Sequence, residues 1–256
     1  MAQIAPQVLN ATTLANALDV ELAAATFRDY CPNGLQVEST RNIQTLVTGV
    51  TASQAFIEQA IAAGADAVLV HHGLMWKGDD GRLTGFRYQR VKSLLASDVA
   101  LLAYHLPLDA HPTLGNNAQL AKLLGIEVSG ISPHEPLVLL GQIPAAQKLA
   151  IFGNIVQKKL SRAPQLIGDL DRPIQKLALC TGGGQSFFET AVAHGVDAYI
   201  TGEISEQHVH IARETGVAFI AAGHHATERY GVQALGEWAA AKFSLKHVFI
   251  DVDSPV

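Results

Sequence analysis

Short apolar runs recur along this chain, and each is followed by a segment of helical period. "IQTLVTGVT" reads as a strand over residues 43–50, and "SQAFIEQAIAAG" follows as a helix stopped at Gly64. Phe56, Ile57, Ala60 and Ile61 share one face of that helix. "DAVLVHHG" is the next strand, "QRVKSLLASD" the next helix, and "VALLAYHLPLD" a third strand before the helix "NNAQLAKLLG". Strands alternating with helices of this length specify an α/β fold with a mostly parallel sheet.

The pattern returns in the second half. "QKLALCTGGGQSFFETAVAHGVDAYITGE" repeats the strand–helix–strand order at an offset of 131 residues. That offset pairs Phe56 with Phe187, Glu58 with Glu189, Gly64 with Gly195 and Asp66 with Asp197, and sets His71 and His72 opposite Gly202 and Glu203. "VALLAYH" and "VAFIAAG" match at an offset of 118. Two copies of one element order predict duplicated α/β lobes. Residues 1–126 form the first lobe and 174–256 the second, packed as one unit. Between them, residues 127–173 hold five of the ten prolines and read as a short α+β insertion.

Composition narrows the function classes. Hydrophobic residues make up 48% and charged residues 16%, so the interior is large relative to the surface. The net charge of −5 disfavours a nucleic-acid binder, which needs a basic face. Two distant cysteines, Cys31 and Cys180, fit a reduced, cytoplasmic protein. The opening "MAQIAPQVLNATTLANAL" lacks a leader pattern, and no apolar run approaches the roughly 18 residues of a membrane span.

Histidines and carboxylates gather just after three of the apolar strands. These are His71 and His72; His105, Asp109 and His111; and His224, His225 and Glu228. Ligand sites of open α/β sheets form outside the carboxyl ends of the strands, so all three groups are expected on one edge. Adjacent strand residues point to opposite faces, so His71 and His72 need either a bend at Gly73 or two different ions. Asp109 is expected in a proline-flanked loop. His224 and Glu228 are four apart, at the start of a helix that continues through Tyr230, Ala234, Leu235 and Trp238. Mixed imidazoles and carboxylates suit zinc, iron, manganese or nickel better than calcium. Two such ions about 3.5–4 Å apart activate water for hydrolysis.

Other residues carry open readings. His105 is a ligand, an outer partner of a ligand, or a proton carrier; His225 faces substrate at the helix start. Glu203 and His208 are second-half contributors or parts of an ordinary helix start. "TGGGQS" is a phosphate cradle or a plain tight turn. His134, His194 and His247 are structural. "CPNGLQVES" combines a turn with a short strand and has no assignable role.

"NGLQVE", "HHGLMW", "HLPLDAHPTLGNNAQLAKLLG", "TGE" and "GHHATERYGVQALGEW" together resemble the Nif-three-like dinuclear-metal proteins, also described as GTP cyclohydrolase I type-two homologs. The resemblance runs from about Leu9 to Asp251. It implies two similar α/β lobes in a hexameric ring, with two divalent metal ions per chain held by His71, His72, Asp109, His224 and Glu228. It places His105 close to that set. The first functional reading is a metal-dependent hydrolase of a small polar substrate such as a nucleotide or purine, with His105 or His225 moving protons. A non-enzymatic metal-binding ring that regulates or scaffolds protein partners is the alternative.

Overall fold

The computed structural model describes residues 9–256; residues 1–8, where the leader reading begins, lie outside the described residues. The chain opens with α1 (Ala11–Glu21) and β1 (Gly34–Val37), then alternates through β2 (Thr45–Thr51), α2 (Gln54–Ala62), β3 (Ala67–His72), α3 (Gly85–Ala96) and β4 (Ala100–Ala103). A short α4 (Leu106–Ala110) and α5 (Asn116–Leu124) lead into β5 (Glu127–Ile131), β6 (Leu139–Lys148), α6 (Leu149–Leu160) and β7 (Gln165–Ile167). Next come β8 (Pro173–Leu179), α7 (Phe188–Ala193), β9 (Ala198–Thr201) and α8 (Glu206–Thr215). Last come β10 (Ala218–Ala221), α9 (His224–Phe243) and β11 (Lys246–Phe249). Two compact units result. Among the described residues, one takes 9–108 together with Val232–Val252; the other takes Asp109–Gly231 and Asp253–Val256. The chain passes from one to the other within α4, returns within α9 and crosses once more after Val252.

The first unit carries a five-stranded sheet in the order β1-β4-β3-β2-β11. Its strands are parallel except for β1, which runs antiparallel to β4. The expected mostly parallel sheet therefore holds here. Val47, Val68, Val70, Leu101 and Ala103 face a core closed by Phe56 and Ile57 of α2. Ser53 starts α2 by accepting the Phe56 N–H, and Gly64 ends it in the left-handed region at φ 78°. Asp66 then ties the turn to the neighbouring strand, its Oδ2 accepting the N–H groups of Gln44 and Thr45 at 2.9 Å each.

The second unit has a six-stranded sheet, β5-β6-β8-β9-β10-β7. Only the central β8, β9 and β10 are parallel, and the three other pairings are antiparallel. The expectation of a mostly parallel sheet fails in this half. The cause is residues 127–173: they supply β5, β6 and β7 to the flanks of the sheet, and antiparallel neighbours need no long crossover. α6, from the same stretch, buries Phe152 and Val156 against Ile174, Leu177 and Ile200. The Asp66 arrangement recurs 131 residues later, where Asp197 Oδ2 accepts the N–H groups of Gln175 and Lys176 at 2.9 and 2.8 Å. Among the described residues no helix is long and apolar enough to cross a membrane.

Candidate metal centre

In the first unit, β3 and β4 are parallel neighbours and end at the same edge. β3 delivers His71 and His72, and the residue after Tyr104 is His105. His71 and His105 are buried and His72 is half-buried. Strict alternation breaks down at the strand end, for the rings of His71 and His72 lie 4.6 Å apart and that of His105 lies 5.0 and 5.8 Å from them. The three offer one ring nitrogen each within 4.8 Å of one another, a group able to hold a metal ion.

The hydrogen bonds behind these rings fit that use. His71 Nδ1 lies 2.9 Å from the Tyr104 carbonyl oxygen, so it carries the proton and Nε2 keeps its lone pair. His105 Nδ1 donates to Asp29 Oδ1 at 2.9 Å, with the same consequence. His72 Nδ1 is held by Thr51 Oγ1 at 3.0 Å. Metal-binding histidines are oriented this way, with the far nitrogen fixed by a carboxylate, a carbonyl or a hydroxyl.

Sequence reading missed Asp29 and left "CPNGLQVES" without a role; the structure gives both a task. Asp29 Oδ2 accepts the Leu106 N–H at 2.9 Å and an Asn33 amide hydrogen at 3.0 Å. Asn33 Oδ1 accepts the His105 N–H at 2.7 Å. Burial alone would raise the Asp29 carboxyl, but the bonds from His105, Asn33 and Leu106 outweigh it and hold the pKa at about 2. Gln36 reaches the loop after β3, where its Oε1 accepts the Leu74 N–H at 2.8 Å. A Cβ on Gly73 would overlap that Gln36 amide, which explains a glycine after the paired histidines.

In the second unit, the parallel strands β8, β9 and β10 also end at one edge, leading into Thr181, Glu203 and His224. Asp109 sits in α4 rather than in the expected loop, because "LPLDA" closes a helical turn directly after His105. Its Oδ1 accepts from Asn116 Nδ2 at 2.8 Å. His224 stands between two carboxylates, with Nδ1 2.6 Å from Glu203 Oε1 and Nε2 3.1 Å from Glu228 Oε2. Burial works against a charged ring there, but Glu228 and then Glu203 raise the His224 pKa to about 9. A cation is thus favoured between these groups, and a divalent ion would take the proton's place.

"TGGGQS" is a clamp in this structure. Gly182 N–H donates to Thr227 Oγ1 at 3.0 Å, and a Cβ on Gly182 would overlap Glu228 Oε1. The loop therefore presses its backbone on Glu228. Glu203 is an outer partner of His224, whereas His208 is buried, accepts the Ser205 N–H and stacks on Phe219, a structural role. His225 is the second residue of α9, and its N–H donates to the Val256 oxygen at 3.0 Å. His111 Nδ1 accepts the Leu114 N–H at 3.0 Å within a turn. His247 bonds Thr48 Oγ1 and His194 bonds Ser132 Oγ, as expected of structural histidines. Burial and then Asp29 push the Cys31 thiol up to about 11; burial, Asp109 and Glu228 push Cys180 well up. Both cysteines remain neutral thiols and poor ligands or nucleophiles.

Comparison with known proteins adds a family. The sequence profile of Duf34/NIF3 (NGG1p interacting factor 3) matches residues 9–255. A Pseudomonas aeruginosa protein described as "GTP cyclohydrolase 1 type 2 homolog" is 53% identical over 247 residues, covering 95% of this chain and 98% of its own. An Escherichia coli K12 protein of the same description is 50% identical over 245 residues, covering 95% and 98%. The solved structure of protein ybgI, described as of unknown function, is similar with a TM-score of 0.94 at 49% identity, covering 97% of this chain and 100% of its own.

Proposed function

The chain belongs to the Duf34/NIF3 family, and from that premise we propose that it is a dinuclear-metal-dependent hydrolase of a small polar substrate, a nucleotide or related purine compound. In this reading His71, His72, Asp109, His224 and Glu228 would hold two divalent ions of zinc, iron, manganese or nickel. The observation that carries it is the donor set: imidazoles backed by outer hydrogen bonds, together with buried carboxylates. Structural zinc sites use closed shells of cysteine and histidine, whereas carboxylate-rich sets leave positions for water and substrate. Such ions, when bound, supply Lewis acidity and activate water.

The chain's own residues supply the rest. His105, with its Nδ1 proton held by Asp29, presents Nε2 as the proton-transfer atom. His225, at the first turn of α9, is the second candidate for moving a proton. The purine suggestion comes from the relatives' shared description as cyclohydrolase homologs. Assembly as a hexameric ring, a cytoplasmic location and two lobes of common descent belong to the same proposal; the recurring Asp66 and Asp197 arrangements support the last. A second reading, a metal-binding regulator of protein partners, is favoured by the family's description as an interacting factor.

The test is metal content of the purified protein beside His71→Ala and Asp109→Ala, followed by a hydrolysis screen on nucleotides. About two ions per chain, lost in both variants, with turnover that follows the metal, is the expected result. No bound metal after reconstitution with zinc, manganese or iron overturns the proposal. Two ions without turnover, together with a stoichiometric protein partner, selects the second reading.

A further inference from the structure

α5 opens on two adjacent asparagines, Asn116 and Asn117, both almost wholly buried. Burying a carboxamide is costly unless its hydrogen bonds are met, and each of these is bonded at both ends. Asn116 Nδ2 donates to Asp109 Oδ1 at 2.8 Å, and Asn116 Oδ1 accepts the Gly231 N–H at 2.9 Å. Asn117 Nδ2 donates to the Leu137 carbonyl at 2.9 Å, and Asn117 Oδ1 accepts the Thr181 N–H at 2.8 Å. The Thr181 hydroxyl lies 3.4 Å from the same Asp109 Oδ1. Asn116 thus joins the carboxylate of Asp109 to α9, three residues beyond Glu228. The residue type is specified by those two partners. One needs a donor and the other an acceptor, and a short carboxamide carries one of each. Aspartate would turn an acceptor on Asp109, and an apolar side chain would leave a buried amide unmet.

Gly231 shows that the contact shapes its surroundings. Glycine is a poor residue for a helix interior, yet a Cβ here would overlap Asn116 Oδ1. The helix therefore omits a side chain where this carboxamide arrives. We propose that Asn116 is a positioning residue of the candidate metal centre, fixing the rotation of the Asp109 carboxylate and its spacing from Glu228. Oδ1 is engaged by the protein, and Oδ2 is the oxygen an ion would take. This inference rests on the metal reading of Asp109 and Glu228. Outer hydrogen bonds to metal-binding side chains are worth about 10- to 100-fold in metal affinity.

The experiment is a zinc titration of the full chain, stripped with chelator, against a competing chromophoric chelator. Cobalt(II) spectra and the melting temperature of the metal-free protein are recorded alongside. Wild type, Asn116→Ala, Gly231→Ala and Ser132→Ala are compared. Gly231→Ala keeps Asn116 in the chain but pushes its carboxamide aside. Ser132 is equally buried in the same unit and bonds His194 rather than a donor residue, so its variant reports lost stability alone. Asn116→Ala and Gly231→Ala are expected to weaken zinc binding about tenfold or more and to change the cobalt(II) bands. Ser132→Ala is expected to lower the melting temperature with zinc affinity equal to wild type. A folded Asn116→Ala protein with wild-type zinc affinity and cobalt(II) bands overturns the proposal; where that variant does not fold, Gly231→Ala decides by the same criterion. An equal loss of affinity in Ser132→Ala also overturns it, by assigning the effect to general stability. Failure of the metal reading looks different, for wild type itself then takes up neither zinc nor cobalt(II), and the proposal falls with it. Absent turnover, with zinc affinity that still responds to Asn116, defeats the hydrolase reading and supports the positioning role.

Discussion

Asp29 shows how one carboxylate can hold a buried histidine. It fixes the His105 ring through Nδ1 and the start of α4 through the Leu106 N–H. Its pKa in the folded chain is about 2, below the ordinary 3.8. A depressed carboxyl contributes stability that is fully present above its unfolded value and fades as pH falls toward the folded one. The stability gap between wild type and Asp29→Asn is therefore expected to be full above about pH 4 and to close between about pH 4 and pH 2. Urea unfolding at a series of pH values measures it, and a gap independent of pH across that range would refute the assignment. Gly182 and Gly73 work at the same scale by omission, since each lets a backbone lie where a side chain would collide with Glu228 or Gln36.

At the scale of elements, parallel strands do the positioning. β3 and β4 bring three imidazoles to one edge, and β8, β9 and β10 bring Thr181, Glu203 and His224 to another. The strand ends stay in register partly because Asp66 and Asp197 each tie a turn to a neighbouring strand. Asp66 also meets Arg41 at 2.5 Å, with the carboxylate buried and the arginine end exposed. Asp66→Ala leaves two strand amides without their acceptor and is expected to cost about 1–3 kcal/mol. Asp66→Asn keeps an oxygen in the same place and should cost clearly less. Denaturant midpoints decide, and equal losses in the two variants would assign the stabilisation to charge instead. The apolar runs and the glycine stops made these elements legible in the chain. The flanks of the second sheet were less so, because residues 127–173 show their strand character but not which partners they choose. Asp109 was misplaced to a loop because the prolines near it mask a single helical turn.

For the whole molecule, the metal proposal has a thermodynamic consequence. Ions that bind the folded chain and not the unfolded one raise its stability by mass action, about 2.7 kcal/mol at a hundredfold excess over Kd. For a chain of this size, chelation is then expected to lower the melting temperature by on the order of 5–10 °C, reversibly on adding metal. A scan unchanged by chelator, with no ion released, would count against the centre.

Local pattern carried the α/β class, the strand ends and the grouping of histidines and carboxylates just after them, because hydrophobic period and residue chemistry are properties of neighbours in sequence. Tertiary structure alone decided what surrounds those donors. Asp29 lies 76 residues from His105, Asn33 lies 72, and Glu203 lies 21 from His224. Arg162 meets Gly223 from a separate helix end. Contacts of this kind form between segments whose own patterns say nothing of each other, and only the packing of sheets and helices brings their polar groups within hydrogen-bond distance.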